Sequence, residues 1–104
     1  MPLRVADVAA SVRSKNAGPF WLTIDVFFAS QDAFEQVRDG LDTEAVAARY
    51  GTVADRVERY VLDDLRVIKF SLPRPAVQGT LGDRDMHGAG FASLLAEMQL
   101  QHVL

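Results

Sequence analysis

Three segments of the chain alternate hydrophobic and polar residues with the period of a β-strand. In Trp21–Phe28, one face carries Leu22, Ile24, Val26 and Phe28, and the other carries Trp21, Thr23, Asp25 and Phe27. Val57–Leu62 and Arg66–Leu72 flank Asp63-Asp64-Leu65, which predicts a β-hairpin. Pro73 ends its second arm, because proline has no N–H to donate to a neighbouring strand.

Hydrophobic residues at helical spacing predict four short helices. Val5, Val8, Ala9 and Val12 indicate a first helix over Val5–Val12. Ser30 is a predicted N-cap for a helix over 31–39 that stops at Gly40, and Thr43 is a predicted cap for a helix over 44–50 that stops at Gly51. Phe91, Leu94 and Leu95 indicate the last helix.

A weak fourth strand is predicted at Glu97–Gln101, where Met98 and Leu100 alternate with polar residues. With the first helix set aside and the two middle helices taken as one, the order becomes βαββαβ. This order predicts an α+β, ferredoxin-like sandwich over residues 1–104, with an extra N-terminal helix and a four-stranded antiparallel sheet covered on one face. The alternative is an open α+β meander that the last strand does not join.

Composition narrows the classes of function. The chain has 104 residues, a net charge of −3 and no cysteine, which excludes disulfides, thiolate metal sites and cysteine nucleophiles. Its Lys and Arg residues are scattered among acidic ones, whereas a nucleic-acid-binding protein needs a concentrated basic face. We see neither a signal peptide nor an apolar run long enough for a membrane span, and therefore expect a cytoplasmic protein without a membrane or nucleic-acid partner.

The segment Arg13–Phe20 is the first candidate site. Two cations, a hydroxyl and an amide, on Arg13, Ser14, Lys15 and Asn16, precede Gly18, whose backbone can turn N–H groups towards an anion. This set predicts binding of a carboxylate or a phosphate oxygen. The alternative is a solvated connection between a helix and a strand. The spacing of a P-loop is absent.

The second candidate site follows the hairpin. Arg74 lies between Pro73 and Pro75, and rigid backbone on both sides would aim its guanidinium at a carboxylate. The long loop over 76–90 adds Asp83, Asp85 and His87, which are able to ligate a divalent cation or share proton transfer. The alternative is a cluster of turns with exposed charges, and we assign no metal or other cofactor.

Two stretches carry a family resemblance over nearly the whole chain. RSKNAGPFWLTIDVFF (13–28), together with the RP and GDRDMHGA motifs, resembles the domain of unknown function family 4387. VERYVLDDLRVIKFSLPR (57–74) resembles the C-terminal ferredoxin-fold domain of acyclic terpene utilisation protein A. The first family's pattern continues Tyr-Gly-Ala-Gln-Gln-His, from which this chain departs at Gly90, Phe91 and Ala92.

The resemblance implies a small partner of a larger catalytic subunit, in the breakdown of branched or unsaturated acids and their thioesters. We therefore expect a small subunit that helps bind a carboxylate or acyl-thioester substrate for a hydratase or lyase, and that does not catalyse alone. The alternative is a non-catalytic regulatory or oligomerisation module. An enzyme subunit should gather Arg13, Lys15, Arg74 and Asp83, whereas a scaffold should scatter them. Trp21 and Phe27 need cover on their strand face, so we also expect a partner or a homo-oligomer.

Overall fold

The computed structural model describes residues 3–74 and 89–100, which form a mixed α+β structure. The elements in chain order are α1 (Val5–Val8), β1 (Ser11–Asn16), β2 (Trp21–Phe27), α2 (Gln31–Gly40), α3 (Thr43–Arg49), β3 (Glu58–Leu62), β4 (Val67–Pro73) and α4 (Ala92–Ala96). Short 3-10 turns precede β3, join β3 to β4 and lead into α4. Within the described ranges, no helix has both the length and the apolar content to cross a bilayer.

The four strands form one antiparallel sheet in the order β1-β2-β4-β3. The three predicted strands therefore pair as expected. The β3–β4 hairpin turns through Asp63–Leu65, and Arg66 adopts a left-handed conformation with φ of 52° directly before β4. The α+β class is thus confirmed, while the ferredoxin-like assignment stays a prediction.

The N-terminal part of the prediction is wrong. The helix expected over Val5–Val12 ends at Val8, and residues expected to form a loop make the edge strand β1. Gly18, with φ of 84°, lies in the turn that lets β1 fold back onto β2. A free edge on β2 would leave backbone N–H and C=O groups without partners, and β1 supplies those partners.

The sequence predicted the fourth strand at the wrong end of the chain. In the described part of Glu97–Gln101, Gln99 forms only an isolated bridge with Arg4. The Val5 N–H donates to the Met98 carbonyl at 2.9 Å, and the Leu100 N–H donates to the Leu3 carbonyl at 2.7 Å. These bonds tie the segment after α4 to the segment before α1 and leave it outside the sheet.

Both middle helices pack on the same face of the sheet, as predicted. Phe34 and Val37 of α2 and Val46 of α3 are fully buried in one hydrophobic core with Ile24 and Phe70. The Ser30 hydroxyl caps α2 by accepting from the Ala33 N–H at 3.2 Å. The cap of α3 is Asp42 and not the predicted Thr43, because the Asp42 carboxylate accepts from the Ala45 N–H at 2.7 Å.

Candidate functional site

Three strand ends meet at one end of the sheet. β1 ends there at Asn16, β2 begins at Trp21, and β4 ends at Pro73, which lies opposite Trp21 in the register. The Arg74 N–H donates to the Phe20 carbonyl at 2.8 Å, and the Ala17 N–H donates to the Trp21 carbonyl at 2.9 Å. This backbone pairing carries Arg74 past the end of the strand and next to the β1–β2 turn.

The Arg74 guanidinium joins the two segments that the sequence singled out. Its Nε donates to Asn16 Oδ1 at 2.5 Å, across 58 positions of sequence. The centre of the guanidinium lies 5.0 Å from the centroid of the Phe91 ring, within cation–π distance. Arg74 is only 7% exposed, and Ser14, two residues before Asn16 on the same side of β1, is 8% exposed. We call Ser14, Asn16, Arg74 and Phe91 the Arg74 cluster.

Tyr50 supports the cluster from the end of α3. Its hydroxyl donates to the Phe91 carbonyl at 2.5 Å and accepts from the Leu95 N–H at 3.1 Å. The hydroxyl thus bridges two backbone groups, four residues apart, that an α-helix would normally join directly. Burial raises the pKa of Tyr50 above its ordinary value, so the hydroxyl keeps its proton and can donate. From the sequence, Tyr50 was only the last residue of the helix predicted over 44–50.

The predicted site residues separate into three groups. Ser14 and Asn16 face the helix side of the sheet with Arg74, and Gly18 lies in the adjoining turn. Arg13 and Lys15 are exposed and alternate to the opposite side of β1, so the expected gathering of Arg13, Lys15 and Arg74 does not occur. The Arg13 guanidinium lies 5.9 Å from the Phe27 ring centroid. Asp83, Asp85 and His87 lie outside the described residues.

The Arg74 cluster holds its guanidinium in a fixed orientation. A guanidinium held at Nε by an amide and across its face by an aromatic ring has a fixed plane, which suits the planar fork geometry of a carboxylate. In residues 3–74 and 89–100, no three carboxylate or histidine side chains come together as a metal site would require. The described part of this end of the sheet therefore presents one guanidinium whose plane is fixed by its neighbours.

Comparison with known proteins gives a family and no function. The model of the family described as a domain of unknown function (DUF4387) matches residues 5–99, which is nearly the whole chain. No curated protein and no solved structure matches the chain significantly.

Proposed function

We propose, from the premise that this chain belongs to the DUF4387 family, that it is a small subunit or accessory domain of a two-component enzyme. In this proposal its Arg74 cluster orients the carboxylate or acyl-thioester group of a substrate whose reaction is catalysed by a larger partner. The partner resembles acyclic terpene utilisation protein A, the reaction is addition or removal of water at an activated double bond, and the site of action is the cytoplasm.

The contact between Asn16 and Arg74 carries this proposal. A buried arginine is costly to desolvate, and structural needs alone are often met as well by apolar residues of similar volume. The Arg74 cluster lies where β1 and β4 end, next to the turn that contains Gly18, so a partner docked at this end of the sheet would lie beside the guanidinium. Asp83, Asp85 and His87 remain proposed members of the same site. Arg13 and Lys15 are left out because they lie on the other side of β1, and this separation from Arg74 is the one point that favours the alternative, a non-catalytic regulatory or oligomerisation module.

A ferredoxin-like arrangement remains part of the proposal. Its support is the order of β2, α2 with α3, β3 and β4, which follows the first three strands and first helical connection of that fold. The place beside β2 is taken by β1, from the N-terminal side of the chain. In this sheet the ends of β1 and β4 lie beside the Arg74 cluster.

Asn16→Asp is expected to weaken ligand binding while leaving the stability of the fold nearly unchanged. The new carboxylate keeps an acceptor for Arg74 Nε, so we expect the free energy of unfolding to stay within about 1 kcal/mol of the wild-type value. Its negative charge repels an incoming carboxylate, so the affinity for crotonate and for crotonyl-coenzyme A should fall at least about tenfold. Titration calorimetry on the chain, alone and with its co-purified partner, measures both affinities.

Gln36→Glu is the matched control, because it makes the same chemical change at an exposed position of α2. It should leave both affinities unchanged. Wild-type affinity in Asn16→Asp would contradict the proposal. Two results together would favour the non-catalytic regulatory or oligomerisation module instead. The chain would bind neither probe, and no larger protein would co-purify with it from its native cells.

A further inference from the structure

The surface of the sheet opposite the helices, here called the outer face, exposes large side chains. Trp21, Tyr60 and Leu62 are 38%, 45% and 41% exposed there. A shallow depression of about 460 Å³ lies beside the last two of these side chains and is lined by Thr23, Tyr60, Leu62, Lys69 and Ser71. Aromatic and aliphatic side chains grouped on a flat surface are typical of protein–protein contact.

The register aligns the outer-face residues in rows that cross the sheet from β1 to β3. One row is Lys15, Thr23, Ser71 and Glu58; the next is Arg13, Asp25, Lys69 and Tyr60; the third is Ser11, Phe27, Val67 and Leu62. A final pair, Trp21 and Pro73, lies beyond the first row. Each row therefore has two residues on either side of the line between β2 and β4.

The two halves of the first two rows are chemically complementary, whereas the third row sets the Ser11 hydroxyl against the Leu62 side chain. Lys15 mirrors Glu58 at the edges of the sheet, and Asp25 mirrors Lys69 at its centre. Elsewhere a guanidinium mirrors an aromatic ring, a hydroxyl mirrors a hydroxyl, and Phe27 mirrors Val67. A two-fold axis that runs parallel to the strands, between β2 and β4, exchanges these halves. It places β1 of one copy over β3 of the other, and each row then lies over the same row of the other copy.

Asp25 supplies an independent observation at the centre of this pattern. Its Oδ1 is buried and has no hydrogen-bond partner among the described residues. Lys69 is its neighbour in the register, yet the ion pairs of the described residues include neither side chain. Arg59 of β3 lies on the helix side of the sheet and donates to the Arg38 carbonyl, so it does not pair with Asp25. A second copy related by the two-fold axis would place another Lys69 above Asp25.

We propose that two copies of this chain associate through their outer faces about that axis. The face measures roughly 19 Å by 23 Å from strand spacing and rise, so two copies would bury on the order of 900 Å² in total, which is the size of weak, transient complexes. Aligned sheets pack about 10 Å apart, a distance that lysine, arginine and glutamate side chains can span. The proposal rests on the outer face alone and does not depend on the Arg74 cluster.

Lys15→Glu and Glu58→Lys test the pairing, since both residues are exposed and the substitutions should not disturb folding. Each variant alone creates two like-charge contacts per dimer, so its dissociation constant should rise at least about tenfold above a wild-type value on the order of 10 µM. A mixture of the two variants forms opposite-charge contacts at both places. Sedimentation equilibrium from about 1 µM to about 1 mM should therefore show the mixture dimerising with nearly wild-type affinity.

Arg49→Glu and Glu44→Lys on the exposed side of α3 are the matched charge reversals, and they should leave dimerisation unchanged. Circular dichroism checks that every variant is folded. A wild-type chain that stays monomeric over the whole range would overturn the proposal. The proposal would also be overturned if Lys15→Glu and Glu58→Lys dimerised as tightly as the wild type, which is the result expected for pairing through strand edges. A mixture of the two variants that does not regain the wild-type affinity would overturn it as well.

Discussion

Arg74→Ala is expected to lower the free energy of unfolding by about 2–4 kcal/mol. The substitution removes a side chain that is 7% exposed, and it leaves Asn16 Oδ1 without the Nε donor that lies 2.5 Å away. It also empties the space against the Phe91 ring, which the guanidinium now covers at 5.0 Å. Chemical denaturation followed by circular dichroism measures the loss.

The same variant should bind crotonate about ten- to a hundredfold more weakly, because a charge-assisted contact contributes roughly 1.5–3 kcal/mol. Arg74→Lys should recover only part of this affinity, because an ammonium lacks the bidentate fork. Arg49→Ala, at an exposed position of α3, is the control and should change stability by less than about 0.5 kcal/mol. A stable Arg74→Ala protein would show that the guanidinium does not hold the two segments together.

Tyr50→Phe is expected to cost about 1–3 kcal/mol of stability. The phenol oxygen lies between the Phe91 carbonyl and the Leu95 N–H, and its removal leaves both backbone groups without that partner in a buried setting. The ring itself remains, so packing of the 4% exposed side chain changes little. Thermal and denaturant unfolding measure the loss of stability, which should come from the missing hydrogen bonds because the substitution creates no large cavity.

Tyr60→Phe is the matched control for this hydroxyl. In the single chain, at concentrations too low for dimerisation, Tyr60 is 45% exposed on β3. Among the described residues it donates only to the nearby Glu58 carboxylate, so water can replace the lost contact. Its effect should stay below about 0.5 kcal/mol. Equal effects of the two substitutions would mean that the first turn of α4 closes its own hydrogen bond when Tyr50 loses its hydroxyl.

The sequence predicted correctly those elements that leave a recognisable pattern among neighbouring residues. β2 and β4 alternate strongly because one face of each contributes to the core, and α2 begins at Ser30 because the cap is a contact between near neighbours. β1 was missed because its inward positions include Ser14 and Asn16, so no hydrophobic alternation marks it as a strand. Its strand character comes from pairing with β2, which a local pattern does not contain.

The candidate site was predictable only in part, for the same reason. The sequence singled out the segment Arg13–Phe20 and Arg74 as candidate sites, and the bond from Arg74 to Asn16 joins the two. The side on which Arg13 and Lys15 lie depends on β1 being a strand, so the prediction joined them wrongly to Arg74. The bridging role of Tyr50 depends on a contact 41 residues away in sequence, and no spacing signals it.

The most direct test of a carboxylate site at the Arg74 cluster is the NMR signal of the Arg74 Nε–H group, which donates to Asn16. Nitrogen-15 spectra recorded during a crotonate titration, with the signal assigned by comparison with Arg74→Lys, report on this one bond. We predict a saturable shift of the signal that needs at least about tenfold more crotonate in Asn16→Asp and is unchanged in Gln36→Glu. A signal that stays in place while the chain, with its partner, is saturated with crotonate would contradict the account.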